Sequence, residues 1–135
     1  AIYIMITETE LRIDWAELDL FGHVNNVAFF RYIQAARLEF CERAGLGTLN
    51  EPGTLSFMVA ASQCNFMRPL FYPGTVRVRV SCAWTKNTSF QLSYELFDKT
   101  DNKVAEAADV LVLYDYQQQA KAIIQPGLKK KLMET

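Results

Sequence analysis

The sequence predicts an α+β fold in which an antiparallel sheet of about five strands curls around one long central helix. Three observations predict it. A stripe of apolar residues recurs at helical spacing between Phe29 and Ala44, strict two-residue alternation sets in from Val76, and short polar turns separate the alternating segments. With 135 residues the chain has the size of one ordinary domain, so residues 1–135 are read as a single unit with one core.

The opening AIYIMITETE is apolar for only a few residues and carries no basic n-region. It reads as the lead-in to a first strand, not as a secretion signal or a membrane span. In the helical segment the apolar positions are Phe29, Ile33, Ala36, Phe40 and Ala44, which repeat every three or four residues and so share one face. Val27, Phe30 and Leu38 extend apolar surface around much of the girth, which predicts a helix enclosed on most sides. Asn25 or Asn26 supplies the N-cap, and Gly45 and Gly47 supply the stop.

A loop containing Pro52 and Gly53 then leads to a strand expected from Ser56 to Arg68, ended by Pro69. From Val76 the apolar residues alternate through Val78, Val80, Cys82 and Trp84, with Arg77, Arg79 and Ser81 on the other face. A turn at Lys86 and Asn87 precedes Phe90, Leu92, Tyr94 and Leu96, and the turn DKTDNK precedes a strand from Val104 to Tyr116. Hairpins of this kind make an antiparallel sheet. The glutamines at 117–119 are read as a loop, and Pro126 and Gly127 open a short terminal helix. A helix as apolar as the first needs a strongly twisted sheet to cover it.

Half of the residues are hydrophobic and the net charge is -1, which indicates neither disorder nor a charge-driven partner. Basic residues are dispersed, and the run Lys129 to Lys131 reads as a solvated helix turn, so no nucleic-acid partner is expected. Cys41, Cys64 and Cys82 are far apart, form no C-x-x-C and cannot all pair within one chain, so a reduced, cytoplasmic setting is expected. A single histidine, His23, rules out sites built from paired histidines, and neither a G-x-S-x-G elbow nor a Gly-rich phosphate loop is present. No metal or cofactor is expected.

Chemistry concentrates in DLFGHVNN, Asp19 to Asn26, between the first strand and the long helix. The run joins a carboxylate, a glycine able to turn tightly and polar groups at a helix start. Unpaired N–H groups and the partial positive charge of a helix N-terminus suit an oxygen that becomes negative during acyl transfer. A carboxylate a few residues upstream can lie across the reacting carbon. The same residue types are also ordinary capping and turn chemistry, so their physics alone leaves both readings open.

The stretch WAELDLFGHVNNVAFFRYIQAARLEF, Trp15 to Phe40, resembles the start of proteins in the 4-hydroxybenzoyl-CoA thioesterase family of the hot-dog superfamily. The HVNN segment, His23 to Asn26, also resembles acyl-ACP thioesterases, while NFMRPLFYPGT (Asn65 to Thr75) and TKNTSFQLSYEL (Thr85 to Leu96) resemble later parts of the family pattern. What the resemblance implies is a hot-dog fold and hydrolysis of an acyl-CoA thioester. It places the catalytic aspartate at Asp19, the turn glycine at Gly22 and, at Asn26, the backbone N–H that polarises the thioester carbonyl. His23 departs from the apolar residue of the namesake branch, so it either contacts substrate or Asp19, or fixes the loop. Glu39 is read as structural, because it sits about three turns along the helix and has Arg43 four residues on. Arg68 and Lys86 are candidate contacts for coenzyme A phosphates. The resemblance also implies subunits paired edge to edge, a dimer or tetramer with the site between subunits, and a long edge strand would need such cover in any case. The competing reading is a hot-dog protein that binds or senses acyl-CoA without hydrolysing it.

Overall fold

The computed structural model describes residues 4–47 and 55–134; the expected loop with Pro52 and Gly53 lies outside them. Along the chain run β1 (Ile6–Arg12), a 3-10 turn (Trp15–Glu17), α1 (Asn26–Arg43), β2 (Ser56–Phe66), β3 (Thr75–Thr85), β4 (Ser89–Phe97), β5 (Lys103–Asp115), β6 (Ala120–Lys121) and α2 (Pro126–Met133). The strands form one antiparallel sheet in the order β1-β3-β4-β5-β2, with the short β6 added to β5.

Because successive strand residues point to opposite sides, the two-residue period becomes one apolar face. Val76, Val78, Val80 and Cys82 on β3, Phe90, Leu92, Tyr94 and Leu96 on β4, and Leu111 and Leu113 on β5 are all buried there. Onto this face α1 lays Phe29, Tyr32, Ile33, Ala36 and Phe40, also buried. Each large side chain so removed from water contributes roughly 1.5–3 kcal/mol. At the start of α1 the Asn25 side chain accepts from the Ala28 N–H. The helix stops at Arg43, and Gly45 follows with φ +88°, a left-handed conformation that glycine adopts without a Cβ clash.

Three expectations require correction. The helix α1 is covered on one side only: Val27 is 70% exposed and Leu38 48%, since the sheet meets a single stripe and the apolar residues behind it remain at the surface. The short terminal helix expected from Pro126 and Gly127 is present as α2 and tucks Leu132 into the core beside the sheet. Strand β2 ends at Phe66, two residues early, because the N–H groups of Met67 and Arg68 both turn to the Val104 carbonyl. In β3 the register shifts between Cys82 and Trp84, so the alternation breaks and Trp84 lies half-buried, its indole N–H donating to Gln91 at 3.1 Å.

One carboxylate sits inside the apolar face. Asp109 on β5 is fully buried and accepts from Arg37 Nε (2.9 Å), Tyr94 OH (2.7 Å) and Ser62 Oγ (2.5 Å), joining α1, β4 and β2 through one group. At the sheet's edge, β2 pairs among the described residues with β5 alone, and it is exposed along most of its eleven residues.

Candidate active site

The segment between the 3-10 turn and α1 is a tight loop closed on itself. Leu18 and Val24 form an antiparallel bridge, and the Asp19 N–H donates to the His23 carbonyl at 2.7 Å. Gly22 turns the chain with φ +80° and donates to the Asp19 carbonyl. A Cβ there would meet nothing within 4 Å, so glycine answers a backbone requirement and not a steric one. One oxygen of the Asp19 carboxylate, Oδ1, accepts from the N–H groups of Phe21 (2.9 Å) and His23 (3.1 Å). Those bonds hold the carboxylate in a fixed orientation and leave Oδ2 for other partners. The loop is stitched to the chain after β2 by Val24 N–H to Leu70 O at 2.8 Å and by a bridge between His23 and Phe71.

Asn26 is the first residue of α1. An α-helix leaves its first N–H groups without intrahelical acceptors. Asn25 takes up that of Ala28, so the N–H groups of Asn26 and Val27 remain as the terminal donors, where the helix dipole adds partial positive charge. Asp19, His23, Asn26, Phe29, Phe66 and Arg68 line one cleft of about 360 Å³. Phe29 and Phe66 meet edge to face, centroids 5.1 Å apart, and give the cleft an aromatic wall.

Sequence-predicted residues are thus brought together in part. Asp19, His23, Asn26 and Arg68 share the cleft, while Gly22 shapes the turn beside it. The His23 ring packs edge-on against Phe71 at 5.0 Å, and its backbone pairs with the same residue, a loop-fixing arrangement. Lys86 lies apart, in the turn between β3 and β4, with its ammonium 4.7 Å from the centroid of the Trp84 ring. Glu39 accepts from Thr9 and faces Arg43 at 3.4 Å, away from the cleft lining. Tyr72, an aromatic residue near the end of the same connection, does not line the cleft.

Sequence reasoning passed over Glu17, which lies two residues before Asp19. Its carboxylate accepts from Asp14 N–H, Tyr32 OH and the Arg31 guanidinium. Burial works against its charge, but the bonds from Asp14, Tyr32 and Arg31 outweigh it and hold the carboxyl below the usual range. A signal was available, since Asp14 and Glu17 have capping-box spacing and form that box around the 3-10 turn.

An antiparallel sheet backed by a long helix thus carries, beside that helix's start, a cleft lined by Asp19 and Asn26. The sequence matches the thioesterase-like superfamily across residues 13–132, and the chain belongs to that superfamily, a family of thioester hydrolases. It is similar to a provisionally named esterase of Aquifex aeolicus, 31% identical over 98 residues, covering 71% of this chain and 75% of that protein. It is also similar to the uncharacterized protein YsmA of Bacillus subtilis, 27% identical over 85 residues, or 63% of this chain and 56% of that relative's length. Its fold is that of a 1,4-dihydroxy-2-naphthoyl-CoA thioesterase from Synechocystis, with a TM-score of 0.80, 16% identity, and 95% and 96% of the two chains covered.

Proposed function

We propose that the protein hydrolyses an acyl-CoA thioester to the free acid and coenzyme A, in the manner of the 4-hydroxybenzoyl-CoA thioesterase branch. The observation that carries this reading is the shared cleft of Asp19 and the first residue of α1. As nucleophile, Asp19 Oδ2 adds to the thioester carbon, the C–S bond breaks to release the thiolate, and water then cleaves the mixed anhydride. As general base, the same oxygen takes a proton from water whose oxygen adds instead, and the C–S bond then breaks as the departing thiolate recovers that proton. In both routes the N–H groups at the start of α1 stabilise the oxyanion, an effect worth about 2.7–4 kcal/mol where one such donor has been removed elsewhere.

The cleft is large enough for the acyl group and thioester but not for the whole coenzyme, whose phosphates then run past the rim at Arg68. Lys86 is proposed as a second phosphate contact, reached from outside the cleft. The Phe29–Phe66 wall suits an aromatic or short apolar acyl group, and the Synechocystis relative in fold is named for an aromatic one. No cofactor enters the scheme. The exposed edge of β2 and the uncovered back of α1 (Val27, Phe30, Leu38) favour a homodimer, or a tetramer of paired dimers, closing over the site. Three free cysteines favour a reducing, cytoplasmic setting. Among the described residues no helix is long and apolar enough to cross a membrane.

A binding protein without hydrolysis is the second reading, favoured by the engagement of Asp19 Oδ1 in two turn bonds. A panel of short, long and aromatic acyl-CoAs followed with a thiol-reactive dye separates the two. Hydrolysis is expected for at least one substrate, whereas thermal shifts with no thiol release across the panel would establish the binder. For Asn26→Ala the expected loss in kcat/KM stays below about tenfold, ~1.4 kcal/mol, because the N–H remains when the side chain goes. A loss matching that of Asp19→Asn would assign the work to the Asn26 side chain.

A further inference from the structure

Glu17 does not line the cleft, yet it bonds α1 at two places and stands two residues before Asp19, which does. Its side chain bonds two adjacent residues in the second turn of α1: Oε1 accepts from Tyr32 OH at 2.7 Å and Oε2 from Arg31 Nε at 2.7 Å. Its main-chain carbonyl accepts both the N–H (2.8 Å) and the side-chain Nδ2 (2.9 Å) of Asn25. Asn25 in turn caps Ala28. One residue therefore holds the helix at its cap and again nearly two turns later, while the chain continuing from it reaches Asp19 two residues on.

We propose that Glu17 is a positioning residue for thioester hydrolysis, clamping α1 through Arg31, Tyr32 and Asn25 so that its terminal N–H groups stay in register with the Asp19 carboxylate. The inference rests on the thioesterase reading above. Tyr32 is wholly buried, so its hydroxyl has no water to turn to when the carboxylate is altered. Arg31 is half-exposed, and the pair it forms with Glu17 is anchored from the protein side by Asp14 N–H. Reaction rates are sensitive to such anchoring because displacement of a reacting group by about 1 Å can cost ~10²-fold.

The test is Glu17→Gln, which keeps the size but sets an amide against the Arg31 guanidinium. At a temperature where circular dichroism shows the variant folded, kcat is expected to fall about 10- to 100-fold while KM moves less than about threefold. A role in folding alone lowers the melting temperature but leaves kcat per folded molecule within about twofold of wild type, and that result would overturn the proposal. Should Glu17→Gln not fold, Arg31→Met tests the same clamp from a half-exposed position, with the same kcat-selective loss expected and the same unchanged kcat overturning it. If the wild-type protein releases thiol from no acyl-CoA, the thioesterase reading is lost, and the clamp is judged by amide hydrogen exchange. Exchange at Asn25 and Asn26 is then expected to accelerate at least about tenfold in Glu17→Gln, and unchanged protection refutes the clamp.

Discussion

Asp19→Asn is expected to lower kcat for thioester hydrolysis by about 10²- to 10⁴-fold, the range that removal of a positioned acid–base group produces. The change is well suited to isolating chemistry from structure. Oδ1 of Asp19 accepts from Phe21 and His23 N–H, and a carboxamide oxygen can accept both bonds, so the loop keeps its shape. What is lost is the charge on the second oxygen, which either attacks the carbonyl or draws a proton from water. Substrate affinity is therefore expected to persist, giving a fall in kcat with KM little changed. Steady-state rates across the acyl-CoA panel, with ligand-induced thermal shift as the measure of binding, check it. Near-normal turnover in this variant would remove Asp19 from the mechanism and leave it as a turn residue.

The largest effect on stability is expected from Arg37→Leu, about 3–5 kcal/mol, because it strands the buried charge of Asp109. Asp109 is fully enclosed and Arg37 only 12% exposed, so water cannot replace the lost cation. Tyr94 and Ser62 would still donate to the carboxylate, yet neither carries charge. Urea denaturation of the two proteins measures the difference directly. The double replacement Arg37→Leu with Asp109→Leu is expected to recover much of it, since exchanging a buried ion pair for apolar side chains is often neutral. An Arg37→Leu protein as stable as wild type would refute the stabilising role given to the pair.

Much of this molecule is legible in one dimension where the governing forces are local. The alternation in Phe90, Leu92, Tyr94 and Leu96 marks a buried face because every strand turns its residues in the same two-fold way. Asn25 before α1 and Gly45 after it are legible because capping satisfies groups within a few residues of the cap. The exposure of Val27 and Leu38 was not legible, since an apolar residue on a helix looks the same whether or not a sheet reaches it. Nor was the fate of Trp84, where a one-residue bulge overrides the period.

At the candidate site the same division holds. A carboxylate at Asp19, a turn glycine at Gly22 and a helix start capped from Asn25 or Asn26 can be read in order along the chain, because each answers to bonds spanning at most a few residues. It takes the folded chain to show that Phe66 and Arg68 complete the cleft while Lys86 stands apart, that Glu17 grips Arg31 and Tyr32, and that Asp109 meets Arg37 across 72 residues. The reason is physical: a polar or charged group leaving water must find its partner wherever strand register and helix packing bring one within reach. That choice is made by the whole chain at once.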